Sequence, residues 1–182
     1  LAHGSLYMVG AFICASLTFY FDSFLIALVV SLPLIGIFGY LFEIIVARKL
    51  YERDHLDHVL GTFGAILVID TVAHIIWGAN GISVPLPDYL EGQVSLTSDI
   101  QIPVFRLLII AAGLASAAGL FWMVNYTRLG MLIRAGASNR TMVSALGVDI
   151  KTLFSLVFAM GAVLAGLAGM LIAPITEASL GM

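Results

Sequence analysis

The chain has 182 residues, of which 61% are hydrophobic and 10% charged, and its formal net charge is −3 at pH 7. Soluble domains have about a quarter of their residues charged, so this chain has too little polar surface to cover a globule in water. Composition therefore excludes the soluble classes and leaves a membrane protein; so small a net charge carries no signal for nucleic acid.

The first residues, "LAHGSLYMVG", read as the interior of a span, with no basic leader and cleavage site before them. On that reading the chain is a piece of a longer one, incomplete at both ends. A helix needs roughly 20 mostly apolar residues to cross about 30 Å of hydrocarbon. Stretches at about 4–21, 24–47, 59–78, 103–126 and 152–175 meet that requirement. They are expected to be helices, because in lipid each backbone polar group must find its partner within its own segment. The expected fold is all-α, a single transmembrane domain over residues 1–182.

Along span one, His3 beside Gly4 admits two readings: a break in the helix on a translocation path, or an interfacial histidine with ordinary partners. Cys14 is the single cysteine, so no intrachain disulfide can form. Span two carries Pro33, Gly36 and Gly39, the makings of a kink, since proline removes a helical hydrogen bond. Glu43 near its end lies within reach of Arg48 and reads as structural. His55 and His58, set among Asp54 and Asp57, read as a solvated loop. In span three, Asp70 and His74 lie four apart and share a helix face. An ionisable pair at that depth is costly. It reads either as a proton relay or half of a metal site, or as groups hydrogen-bonded to other helices; His3 and Asp22 make poor further ligands, so no metal is expected. Span four carries Ala112, Ala115, Ser116 and Gly119. Span five carries Gly161, Ala165 and Gly169 every four residues, with Ala162 and Gly166 in a second row, which lets helix backbones approach closely.

Basic residues give the orientation. Arg48, Lys49 and Arg53 lie between spans two and three; Arg128, Arg134, Arg140 and Lys151 lie between spans four and five. Residues 79–102 have no lysine or arginine. The positive-inside rule places 48–58 and 127–151 in the cytoplasm and 79–102 outside. Arg106, at the start of span four, can snorkel to the outer headgroups.

Within 127–151, the sequence predicts one amphipathic helix at about 131–146, with Gly130 before it and Gly147 after it. Leu132, Ala135, Gly136, Asn139, Met142, Val143 and Leu146 fall on one stripe. That stripe is thin and built of small side chains, which suits docking against protein better than dipping into lipid; a plain cytoplasmic loop is the other reading. HExxH, GxSxG and a phosphate-binding glycine loop with lysine are all absent from the sequence, so no catalytic residues are assigned and no cofactor is expected.

Two motifs carry a resemblance. "GMLIRAGASNRTMVSALGVDIKTLFSLVFAMGAVLAGLAGMLIAP" (130–174) and "AHGSLYMVGAF" (2–12) resemble the cytoplasmic loop with its following helix, and the first motif, of the branched-chain amino acid ABC transporter permeases. The match is to the Ala-His-Gly type of the two paired permeases, and it covers essentially the whole chain. The positions that correspond are Gly130, Arg134, Ala135, Ala137, Asn139, Gly147, Val148 and Asp149. One departure stands out: ABC importer permeases carry a Glu-Ala-Ala triplet where this chain reads Thr141, Met142 and Val143.

The resemblance implies a permease subunit of the bacterial inner membrane, not an enzyme. It also implies a second permease subunit, two cytoplasmic ATPases and a periplasmic binding protein as partners, with a small amino acid or amide, urea included, as substrate. Those eight residues become the expected ATPase-coupling loop; His3 and Gly4 become candidates for the path, and Gly161, Ala165, Gly166 and Gly169 for packing. A proton-coupled carrier or intramembrane enzyme centred on Asp70 and His74, and a scaffold subunit without a path of its own, stand as rivals.

Overall fold

The computed structural model describes residues 3–51, 53–78, 82, 84, 90, 92–97 and 100–176. Helix α1 spans His3–Phe21 and α2 spans Phe24–Leu50. Between them, Asp22 takes a left-handed φ of 52°, a conformation that Asp tolerates better than bulky residues, so two long helices reverse within Phe21–Ser23. Helix α3 spans His55–Trp77 and α4 spans Val104–Tyr126. Two shorter helices follow, α5 at Arg128–Ser138 and α6 at Arg140–Ala145, and then the long α7 at Ile150–Thr176. Five of these, α1, α2, α3, α4 and α7, are long and apolar enough to cross a bilayer. The all-α expectation holds, with one addition. A small antiparallel hairpin pairs β1 (Gln93–Thr97) with β2 (Ile100–Pro103), and its register slips between Ser95 and Thr97. It falls in the stretch read as an external loop, much of which (79–81, 83, 85–89, 91 and 98–99) lies outside the described residues, as do Ala2 and 177–182.

Three local expectations change. The stretch 48–58 is mostly helix rather than loop: α2 runs on to Leu50 and α3 begins at His55. Helix α2 passes through Pro33 without ending, and it also carries a π-turn at Glu43–Ala47 that the sequence did not announce. Helix α1 is continuous through Gly4, so no break follows His3.

The chain divides into two compact units, Leu1–Pro85 with Ser155–Met182, and Leu86–Phe154. In the first, Leu6, Phe12, Cys14 and Ala15 of α1, Phe24, Ala27 and Ile35 of α2, and Ala162 and Met170 of α7 are fully buried. Phe12 stacks on Trp77 of α3 with ring centroids 5.1 Å apart, and the Trp77 indole N–H donates to Ser16 Oγ at 2.7 Å. That bond satisfies the polar end of a ring whose body is apolar. In the second unit, the Val104 amide donates to the Gly92 carbonyl at 2.9 Å, tying the hairpin to the start of α4.

Candidate coupling segment and helix seam

The small residues of α7 act on α1 and α2. A Cβ on Gly10 would fall 2.5 Å from Gly166 Cα, and one on Gly166 would fall 2.7 Å from Ile35 Cγ1. A Cβ on Gly169 would collide with the Tyr7 carbonyl oxygen, and one on Gly39 with the Ala162 methyl. Backbone therefore meets backbone along this seam, where attraction comes from close van der Waals contact rather than from hydrophobic drive. Of the four predicted packing residues, Gly166 and Gly169 sit at the tightest points. Gly161 faces His3, whose Nε2 lies 3.3 Å from a Cβ built there, while Ala165 is only half-buried. His3 is exposed and leans on the Phe158 ring at 5.9 Å, with Gly4 exposed beside it. The pair thus sits at the end of the seam.

A polar cluster in the same unit goes beyond the sequence reading of Glu43. The Glu43 side chain is fully buried, and Arg48 Nη2 lies 3.2 Å from its Oε2. Ser155, buried on α7, donates its hydroxyl to Glu43 Oε2 at 2.5 Å and accepts from Arg48 Nη2 at 2.5 Å. Spacing alone pointed to the ion pair; Ser155 is 112 residues from Glu43 and no local pattern marks it.

Asp70 is half-buried and His74 exposed on α3. Among the described residues no ion pair joins them, and no group of three His, Cys, Asp or Glu gathers to hold a metal.

The segment after α4 is built differently. Thr127, extended at φ −107°, caps α5: its hydroxyl accepts from the Gly130 amide at 3.2 Å and donates to the Met123 carbonyl at 2.6 Å. Gly130 therefore lies inside α5 rather than before it, and any Cβ there would collide with the Val124 and Met123 carbonyls. The Arg134 guanidinium donates to the Val124 carbonyl, capping the end of α4. The predicted single helix is broken at Asn139, which takes φ −152° and ends α5. Its Oδ1 accepts from the Met142 amide at 3.0 Å, starting α6. The break also splits the predicted stripe: Gly136 and Val143 are buried, whereas Met142 is 64% and Leu146 79% exposed.

Gly147 turns the chain at φ +85°, a region costly for residues with a Cβ. Asp149 then caps α7, accepting from the Lys151 and Thr152 amides and from the Thr152 hydroxyl at 2.6 Å. Gly136 lies against Leu153 and Ile150, and the Arg140 guanidinium stands 4.4 Å over the Phe154 ring. Of the eight predicted coupling residues, Gly130, Arg134, Asn139, Gly147 and Asp149 thus shape the segment itself. Ala135 and Val148 are half-buried, and Ala137 is exposed. The exposed surface includes the small Ala137, Ser138, Thr141, Ser144 and Ala145 beside Arg134, Arg140, Met142 and Leu146.

Five membrane-length helices, three of which (α1, α2 and α7) meet through glycine contacts, define a multi-pass membrane protein. Residues 1–180 match the branched-chain amino acid transport system permease component family, and the chain belongs to it. Among curated relatives, the high-affinity branched-chain amino acid transport system permease protein BraD of Pseudomonas aeruginosa is 27% identical over 183 residues. The permease proteins of the same description called LivH are 24% identical in Escherichia coli K12 and 23% in Salmonella typhimurium, over 184 residues. Each alignment covers 94% of this chain and 59% of the relative, so the chain spans just under three-fifths of their length. No solved structure matches significantly.

Proposed function

We propose that the chain is a membrane-spanning subunit of an ABC importer that moves branched-chain or other small amino acids across the bacterial inner membrane. The observation that carries this reading is the family match along residues 1–180, which includes the α5–α6 segment. Its named relatives are branched-chain amino acid permease proteins. In this reading α5 and α6 face the cytoplasm and form the docking surface for a partner ATPase. Five residues hold that surface in shape, and the small side chains of Ala137, Ser138, Ser144 and Ala145 let the ATPase approach closely. The chain works with a second permease subunit, two ATPases and a periplasmic binding protein; ATP-driven closure of the ATPases moves α5–α6, and α7 carries the displacement into the helix seam. By the positive-inside rule, residues 48–58 and 127–151 are assigned to the cytoplasm and residues 79–102 to the outside.

Uptake into vesicles containing the whole complex tests the class. ATP-dependent leucine uptake that requires the binding protein is the expected result. Uptake of urea but not leucine would move the substrate to small amides, and uptake driven by a proton gradient alone would defeat the ATPase reading. Docking has its own test: Ala137→Arg should cut co-purification of the ATPase at least tenfold at unchanged abundance of this chain, and normal co-purification would overturn it. Cysteines placed at 85–95 should react from outside the cell; modification only from the cytoplasmic face would reverse the orientation.

A further inference from the structure

The cytoplasmic-side reading of residues 48–58 draws attention to the π-turn that precedes them. Glu43 and Arg48 are five apart, and on a regular α-helix that spacing turns two side chains about 140° away from each other. Here the Arg48 amide donates to the Glu43 carbonyl, the wide i→i+5 bond of a π-turn, and the same two residues pair through their side chains at 3.2 Å. The turn is therefore the condition for the ion pair. The pair in turn holds Ser155, so α2 is fixed on α7 by a directional polar contact. Elsewhere α2 meets α7 through apolar and glycine contacts, at Ile35, Gly36 and Gly39.

The cluster is also half-satisfied. Arg48 and Ser155 both reach the carboxylate at Oε2, while among the described residues Glu43 Oε1 and Arg48 Nε are buried without a hydrogen-bond partner. Buried polar atoms left unpaired raise the energy of the state that contains them, and single-turn π-bulges occur often at functional sites. Relaxing the turn to α geometry would rotate Arg48 by about one residue's 100° and part it from Glu43 and Ser155. Two discrete arrangements of one element are what a switch requires.

We propose that Glu43, Arg48 and Ser155 form a releasable latch that sets the register of α2 on α7 and opens each time the permease changes its access. They are positioning residues: they touch no substrate and act through the two helices. The proposal rests on the permease reading, so its test has one readout that does not depend on transport. Amide hydrogen exchange at residues 43–48 of the full complex at rest should be at least tenfold faster in Glu43→Gln and Ser155→Ala than in the unaltered chain. An unchanged rate would overturn the latch even if the complex transported nothing. In vesicles that take up leucine, Glu43→Gln should lower the maximal rate at least tenfold at equal membrane abundance, leaving the half-saturating substrate concentration and ATP hydrolysis within twofold. The exchanged pair Glu43→Arg with Arg48→Glu should recover most of that rate. Uptake by Glu43→Gln within twofold of normal, or a loss that merely follows abundance, would sink the proposal.

Discussion

Helices α4 and α7 carry the same kind of small-residue row, and the two rows meet different surroundings. On α7, Ala162, Gly166 and Gly169 lie against Gly39, Gly10, Ile35 and the Tyr7 carbonyl. On α4, no described residue beyond the helix's own turn lies within 4 Å of a Cβ built on Gly113 or Gly119. Helix α1, against which α7 packs, buries Leu6, Met8, Phe12 and Cys14 among others, whereas Phe105 is the buried residue of α4. A small-residue row permits close approach without causing it. On the α7 seam the facing backbone is small at Gly10 and Gly39, while Ile35 and Tyr7 fill the room that Gly166 and Gly169 leave.

The sharpest way to break this comparison is to add bulk where backbones already touch. Gly169→Leu should push the Tyr7 carbonyl away and remove nearly all folded protein from the membrane fraction, beyond the usual 1–3 kcal/mol (about that much) of an overpacked site. Near-normal abundance would mean that α1 and α7 do not meet there. Next in size, Glu43→Ala leaves Arg48 without its carboxylate. Loss of the carboxylate from a pair whose Arg48 side is a third exposed costs about 1–3 kcal/mol, which thermal unfolding in detergent should register as a drop in midpoint.

Smaller effects are expected in the capped segment, where Gly147→Val must place a β-branched residue at φ +85°. A cost of about 1–2 kcal/mol follows, with hydrogen exchange rising around residues 140–150 while α1 and α2 are unaffected. Asn139→Ala removes one cap and should cost about 1 kcal/mol, read in the same experiment as fraying of α6. Smallest of all, Gly119→Leu on α4 should shift stability of this chain by less than about 0.5 kcal/mol. A loss as large as that of Gly169→Leu would show that the α4 row is also packed.

The candidate site was partly legible in the sequence. Gly147 and Asp149 announce a turn and a cap by residue type alone, whereas Gly130, expected before the helix, lies inside α5. The periodicity of 131–146 concealed the break, because Asn139 falls on the stripe by angle while its side chain prefers to cap. Met142 and Leu146 then lie exposed for the same reason, since the second helix starts with a new phase. Ser155 was invisible: a serine in an apolar helix mostly bonds its own backbone, and only the fold brings this one to Glu43.

Sequence by itself determined the membrane class, the five helices and the family, because these rest on composition, on length against bilayer thickness, and on motifs that need no partner. Tertiary structure alone decided that the α7 row becomes a seam with α1 and α2, where the predicted 131–146 helix divides, and that Glu43 reaches α7 through a π-turn. Those outcomes depend on what faces each residue across space, and a contact between positions 112 residues apart leaves no periodic trace along the chain.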